Sequence, residues 1–161
     1  MREFQVVDAT QLAAAYAEAE YIVEHGGQSL RVQVGLRATT LEGSLPATRY
    51  AFITAWNPAS EPRSDQANQA ADARLVARIE SLGLQRHAAW AQSPDGRWHE
   101  PGWLLLDTPT GQLLDLAREF GQAGVLDWTQ GEPVSLCMLA SCPPRTPGTG
   151  ATRWVPEHAN A

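Results

Sequence analysis

Six segments of the chain carry the alternating or continuous apolar patterns that predict β-strands. They span residues 29–35, 50–56, 86–92, 102–107, 123–128 and 133–139. The second of these, YAFITAW, is nearly all apolar, which is typical of a central strand covered on both faces. It stops at Asn57-Pro58, because proline cannot donate a backbone hydrogen bond and disfavours helix in the residue before it.

Apolar residues at helical spacing predict three main helices. The first, over residues 9–24, has Asp8 as its N-cap and ends at Gly26-Gly27. The second spans 65–82 with Ser64 as its N-cap, and the third opens at Thr108-Pro109 and closes at Gly121. In the second helix, Asn68 falls in the middle of the apolar stripe, so we expect it to be buried and hydrogen-bonded.

These elements together predict a single α+β domain over residues 1–142. It would contain a mixed β-sheet of about six strands with three main helices packed on it. From residue 143 the chain is rich in Pro, Gly and Thr, so we expect 143–161 to be a flexible, disordered tail.

Charge and hydropathy restrict the classes of partner. The 161 residues carry a net charge of −6, and every cationic side chain is an arginine. An acidic chain with scattered arginines is repelled by a phosphate backbone, which argues against nucleic-acid binding. No apolar run reaches the ~18 residues of a membrane span, and no apolar segment follows Arg2 as in a signal peptide. We therefore expect a cytoplasmic protein without membrane contact.

Known catalytic and cofactor motifs are absent from the sequence. It contains no nucleophile elbow, P-loop or dinucleotide fingerprint, so no cofactor is expected. Two cysteines, Cys137 and Cys142, are too few for a disulfide scaffold, and we expect a reduced core thiol and a loop thiol. The four histidines match no zinc spacing, so no metal site is expected. Nothing in the sequence decides whether the protein is an enzyme.

A polar corner at the end of the 50–56 strand is the candidate site. It comprises Thr54, Asn57, Ser60, Ser64 and Asn68. Ligands of sheet-and-helix domains tend to bind at the carboxyl ends of strands, and a helix N-terminus favours anions. The same residues could instead be structural, with Asn57 capping the strand, Ser64 capping the helix and Asn68 holding the loop.

The chemistry of these side chains favours recognition over turnover. Amides and hydroxyls bind through neutral, directional hydrogen bonds and are poor bases without an ionisable partner. Glu100 is the nearest candidate acid or base, provided that residues 98–102 fold against the polar corner. His99-Glu100 could form a catalytic pair, but adjacent residues rarely face one site, and a pair beside a turn is the simpler interpretation.

Several motifs, in order along the chain, resemble the bacterial DUF3293 family, a domain of unknown function. The resemblance extends over about residues 12–139. Its motifs are "AAY…Y" (Ala14, Ala15, Tyr16, Tyr21), "TAxNPxSxxxSxxxN" (Thr54 to Asn68), "DPDGRWxEpS" (Ser93 to Gly102) and part of "FGQNA" (Phe120, Gly121, Gln122). The chain departs from the family pattern at Gly102, where the pattern has Ser. It also departs at Ala123 and Gly124, where the pattern has Asn and Ala.

Two functions follow as hypotheses. In the first, the domain binds a polar small molecule or nucleotide-like ligand at the corner, through Thr54, Asn57, Ser60, Asn68 and Gln122, with Glu100 as the ionisable member. In the second, the polar corner is a structural latch and the protein is a non-enzymatic interaction or accessory module. Its six tryptophans would then serve packing or a protein partner, since aromatic residues are enriched at interfaces.

Overall fold

The computed structural model describes residues 8–144 and 150–156. Within them lie four α-helices: α1 (Ala9–Glu18), α2 (Thr39–Ser44), α3 (Asp65–Ser81) and α4 (Thr110–Glu119). The strands are β1 (Glu20–His25), β2 (Gln28–Val32), β3 (Arg49–Ile53), β4 (Gln85–Gln92), β5 (His99–Leu106), β6 (Gly124–Thr129), β7 (Leu136–Met138) and β8 (Thr152–Trp154). A 3₁₀ turn spans Pro58–Ser60. No helix of this part of the chain is long and apolar enough to cross a membrane.

All eight strands form one mixed sheet in the order β2-β1-β4-β5-β3-β6-β7-β8. Every neighbouring pair is antiparallel except β7 and β8, which run parallel. The predicted α+β class and single sheet are confirmed. The expected counts of about six strands and three helices are too low, because β1, β8 and the short helix α2 were not anticipated.

The region of β1 corrects the predicted first helix. The helix begins after Asp8 as expected, since the Asp8 carboxylate accepts a hydrogen bond from the Gln11 amide at 2.8 Å. It ends at Glu18, however, and the segment Glu20–His25 is a strand paired with β2. Gly26 and Gly27, with φ of 58° and 77°, form the two-residue hairpin turn between the strands. The glycine pair therefore marks a hairpin, and not the end of a helix.

The segment after residue 143 also differs from its prediction in part. Residues 152–154 form β8 at the edge of the sheet, where Leu136 pairs with Thr152 and Met138 with Trp154. Arg153 of this strand makes an ion pair with the buried Asp127 of β6 at 2.9 Å. A flexible tail is thus wrong for these residues. Its remaining parts, 145–149 and 157–161, lie outside the described residues.

Strand β3 lies at the centre of the sheet and is buried on both faces, as its apolar sequence predicts. Tyr50 and Phe52 point into one apolar cluster, which includes residues of α1 and α2. Ala51 and Ile53 point into the other cluster, which is built on α3 and α4. The carboxyl end of β3 therefore opens at the junction of both cores, and the polar corner begins there.

Candidate functional site

Thr54 fixes the chain immediately after β3. Its hydroxyl donates to the carbonyl of Pro101 on β5 at 2.7 Å and accepts from the amide of Trp56 at 3.0 Å. The residue is buried. These two bonds turn the backbone away from the sheet and bring the following residues over the end of β5.

Asn57 and Asn68 form a paired amide contact in the middle of the polar corner. The Asn57 backbone donates to Asn68 Oδ1 at 2.9 Å, and Asn68 Nδ2 donates to Asn57 Oδ1 at 2.9 Å. Asn57 Oδ1 also accepts from the amide of Arg63 at 3.0 Å. Asn57 has a left-handed backbone (φ 44°), a conformation that asparagine tolerates better than most residues. The pair therefore closes the loop between β3 and α3.

Asn68 is 1% exposed on the apolar face of α3, as the helical spacing predicts. Its helix begins after Ser64, whose hydroxyl accepts from the amide of Ala67 at 3.1 Å. The predicted cap and the predicted buried amide are both confirmed. The hydrogen bonds of the Asn68 side chain all go to the loop between β3 and α3. They include a long contact of 3.5 Å from Nδ2 to the carbonyl of Arg63.

Glu100 lies against the same corner and is 4% exposed. Its Oε1 accepts from Asn57 Nδ2 at 2.8 Å and from the indole Nε1 of Trp98 at 3.0 Å. Among the described residues, its Oε2 has no hydrogen-bond partner, and no cation pairs with the carboxyl group. Burial raises the pKa of Glu100, and the bonds from Asn57 and Trp98 lower it in part.

A small cavity opens beside Glu100 on the side of the first apolar cluster. Its lining includes Tyr16, Tyr21, Thr54, Glu100 and Gln122. The space open to the centres of water molecules is about 20 Å³, which is room for about one water. In its present form the cavity admits a single small group, such as an amino or hydroxyl group.

Tyr16 connects the cavity to the 3₁₀ turn. Its hydroxyl lies 2.5 Å from the hydroxyl of Ser60, which itself has a left-handed backbone (φ 61°). Burial raises the pKa of Tyr16; the Ser60 bond lowers it, and the nearby charge of Glu100 raises it. Tyr21 donates to the carbonyl of Tyr16 at 2.7 Å and so ties β1 to the end of α1.

Gln122 reaches the corner from the end of α4. Its Nε2 donates to the carbonyl of Trp56 at 3.2 Å, and the residue is buried. The structure thus brings together the side chains that were predicted to bind a ligand: Thr54, Asn57, Ser60, Asn68, Glu100 and Gln122. Ser64, in contrast, only caps α3.

Three participants were not proposed as site residues from the sequence: Tyr16, Tyr21 and Trp98. Both tyrosines were assigned to one helix, where Tyr16 belonged to an apolar stripe. Their place in the "AAY…Y" motif was the available signal, because a phenolic hydroxyl needs a partner when it is buried. Trp98 stands immediately before β5 and two residues from Glu100, and in extended chain that spacing places two side chains on one face.

Two glycines stand where the resemblance predicts Ser and Ala, and neither position has room for a side chain. A Cβ at Gly102 would lie 2.6 Å from Cζ of Phe52 and 2.8 Å from the carbonyl oxygen of Ile53. A Cβ at Gly124 would lie 2.9 Å from Sδ of Met138 and 3.2 Å from Cδ2 of Tyr16. The large neighbours occupy the space that Ser and Ala side chains would need, so the cavity wall here is apolar and aromatic.

Residues 8–144 and 150–156 offer no recognisable set of metal ligands. These residues contain no group of three His, Cys, Asp or Glu side chains that could hold an ion. Cys137 is buried and Cys142 is exposed, and both are free thiols. Burial raises the pKa of Cys137, so its thiol stays protonated at neutral pH.

The sequence model of the family described as "Protein of unknown function (DUF3293)" matches residues 53–125. This segment is similar to the DUF3293 family. No curated protein and no solved structure matches the chain significantly.

The DUF3293 match begins at the last residue of β3 and ends on β6. It includes Thr54, Asn57, Ser60, Asn68, Glu100 and Gln122, so every predicted site residue lies inside it. The tyrosines of α1 and β1 lie outside it. The matched segment thus supplies the polar corner, Glu100 and Trp98, while the preceding residues supply Tyr16, Tyr21 and Phe52 of the cavity wall.

Proposed function

We propose that this protein binds a small polar molecule at the corner, and that an N–H donor of the ligand contacts Glu100 Oε2. One observation carries the proposal: a buried carboxyl group has one oxygen held by two neutral donors and the other oxygen unpaired among the described residues. Glu100 Oε2 is not among the fully buried side-chain atoms that lack a partner, so it is accessible from the cavity that Glu100 lines, and a ligand donor can take the place of water there.

The size of the cavity limits the group that reaches Glu100. About 20 Å³ admits an amino group, as found on an amine, an amino acid or a nucleobase, but no larger moiety. The rest of the ligand must lie outside, and entry requires the Tyr16–Ser60 contact to open. The hydroxyls of Tyr16 and Ser60 would then be released to bind the ligand themselves.

The amides have a supporting role in this proposal. Asn57 holds Glu100 Oε1, and Asn68 holds Asn57, so together they orient the carboxyl group. Gln122 fixes Trp56 and lines the cavity. A cytoplasmic location, where such small molecules are abundant, belongs to the same proposal.

A thermal-shift screen tests this function. Wild-type protein is heated with ethanolamine, cytosine and the amino acids, and with tetramethylammonium as a cation that lacks an N–H group. A ligand at ~100 times its dissociation constant adds ~2.7 kcal/mol, or about 5–10 °C for a chain of this length. Glu100→Gln should remove the shift, whereas Glu61→Gln, an exposed glutamate beside the corner, should keep it.

A shift that survives in Glu100→Gln, or an equal shift with tetramethylammonium, would contradict the proposal. So would the absence of any shift across the screen.

The second candidate is an accessory module in which the polar corner is only a latch. It is favoured by the Asn57–Asn68 contact, whose hydrogen bonds all stay within the protein. A protein partner would need a docking face. Trp90, Trp98 and Trp103 are each half-buried, and Leu36 is the exposed large apolar side chain of the described residues. For this candidate, Asn57→Ala should lower the melting temperature and no compound should raise it.

A further inference from the structure

A second concave region lies on the opposite side of the corner, between α3 and α4. This groove has a volume of about 540 Å³, and its lining includes Pro58, Arg63, Arg74, Arg78 and Phe120. It differs from the Glu100 cavity in its size and in its charge. Three arginines face it, against one carboxylate, Glu119, which pairs with Arg78 at 3.1 Å.

Two arginines of the groove lack a carboxylate partner. The described residues contain ten arginines, and seven of them make an ion pair. The three that make none within this part of the chain are Arg37, Arg63 and Arg74, and the last two both line the groove. The Arg63 guanidinium makes only a long contact, from Nη2 to the carbonyl of Ala55 at 3.5 Å, so in a chain of net charge −6 the groove lining carries more cations than carboxylates.

The corner holds one of these arginines in place. The amide of Arg63 donates to Asn57 Oδ1, and its carbonyl receives a long contact from Asn68 Nδ2. The Asn57–Asn68 pair therefore fixes the backbone that presents Arg63 to the groove. Arg74 lies on α3, a helix of 17 residues. The backbone that carries each of the two arginines is therefore held in place by hydrogen bonds.

The floor and one wall of the groove are apolar. Gly121 has φ of +66°, and a Cβ at that position would lie 3.1 Å from Cβ of Pro58. This close approach brings the end of α4 against the 3₁₀ turn. Phe120, Pro58 and Ala77 then give an apolar surface beside the two cations.

We infer that the groove between α3 and α4 binds the phosphate group of a small organic phosphate. Arg63 and Arg74 would hold the phosphate oxygens, since the planar guanidinium matches phosphate geometry and is less strongly hydrated than an ammonium. The organic part would lie against Phe120 and Pro58. This site has its own lining and its own ligand, although Asn57 contacts both Glu100 and the backbone of Arg63.

Phenyl phosphate is a suitable probe, because it combines a phosphate with a flat apolar ring. It is titrated into the wild-type protein at constant ionic strength while the backbone amide signals are followed by NMR. We expect saturable shifts at Arg63, Arg74 and Gly121. Arg74→Gln and Arg63→Gln should each weaken binding at least tenfold, and Arg97→Gln, whose side chain is 90% exposed, should leave it unchanged.

Two outcomes would overturn the inference: no saturable shift in the groove, or equal weakening by Arg97→Gln and Arg74→Gln. The latter would show that only the overall charge matters. Benzoate is the second arm, and it should bind at least tenfold more weakly than phenyl phosphate; equal binding would reject phosphate as the recognised group. Ethanolamine should leave phenyl phosphate affinity within twofold, which separates this site from the cavity.

Discussion

Two buried carboxylates on this sheet are satisfied in opposite ways. Asp127, 1% exposed, receives Arg49 on Oδ1 at 2.8 Å and Arg153 on Oδ2 at 2.9 Å, and Thr110 also donates to Oδ2 at 3.2 Å. Glu100, 4% exposed, receives only the neutral donors Asn57 and Trp98, both on one oxygen. The first group is neutralised and fully bonded, whereas the second retains an available oxygen.

The contrast shows what each carboxylate does. Asp127 joins three elements, because its partners come from β3, β8 and α4. Its negative charge therefore holds these three elements of the fold together. Glu100 joins the loop after β3 to β5 through Oε1. Its Oε2 is therefore available to accept a hydrogen bond from a ligand. A buried carboxyl group with a raised pKa and no cation is a frequent mark of a functional site.

The largest expected effect comes from removing the amide that organises the corner. Asn68→Ala deletes the partner of the Asn57 amide and side chain and leaves a cavity under α3, so it should cost about 3 kcal/mol of unfolding free energy. Gln69→Ala is the control, since Gln69 is exposed on the same helix. Chemical denaturation measures both. Equal costs for the two variants would show that the corner does not hold the loop.

Asp127→Asn should have the next largest effect, about 2 kcal/mol. It removes the charge that faces two arginines, but these side chains are 34% and 48% exposed and stay partly hydrated, which limits the loss. Amide exchange in β8 should accelerate, because Arg153 loses its anchor. Asp115→Asn, at an exposed carboxylate, is the control. Unchanged exchange in β8 would mean that the ion pair does not fasten this strand.

Glu100→Gln should have the smallest effect, and it should depend on pH. The folded-state pKa of Glu100 lies above its ordinary value of 4.5, so ionisation costs the wild type stability as pH rises through that interval. Glutamine avoids this cost and can keep both bonds on its oxygen. The variant should therefore be more stable than the wild type near pH 7, and this gain should vanish towards pH 4. Denaturation curves at the two pH values measure it; a gain that is constant with pH would contradict the raised pKa.

The sequence predicted the middle of the chain better than its ends. Strand β3, the Ser64 cap and the burial of Asn68 follow from local patterns, because apolar runs, caps and helical spacing act over a few residues. Strand β1 was misread, since Gly26-Gly27 can end a helix or turn a hairpin, and only the pairing with β2 and β4 decides between them. Strand β8 is three residues long and depends on β7 and on Asp127, which no local pattern reveals.

The candidate site shows the same division. Its polar side chains could be named from the sequence, but the open oxygen of Glu100 could not, because it depends on which donors the fold brings to the carboxyl group. Tyr16 is another such case. Its contact with Ser60 spans 44 positions, so no local pattern reveals it.

Carbon-13 NMR titration of the Glu100 side-chain carboxyl tests the availability of its second oxygen most directly. The spectra are recorded from pH 3 to pH 8 without ligand, with ethanolamine, and with tetramethylammonium. We predict a midpoint above 4.5 in the free protein, a lower midpoint with ethanolamine because an ammonium group favours the charged carboxylate, and no change with tetramethylammonium. A midpoint at or below 4.5 in the free protein, or one that ethanolamine leaves unchanged, would contradict the proposed role of Glu100.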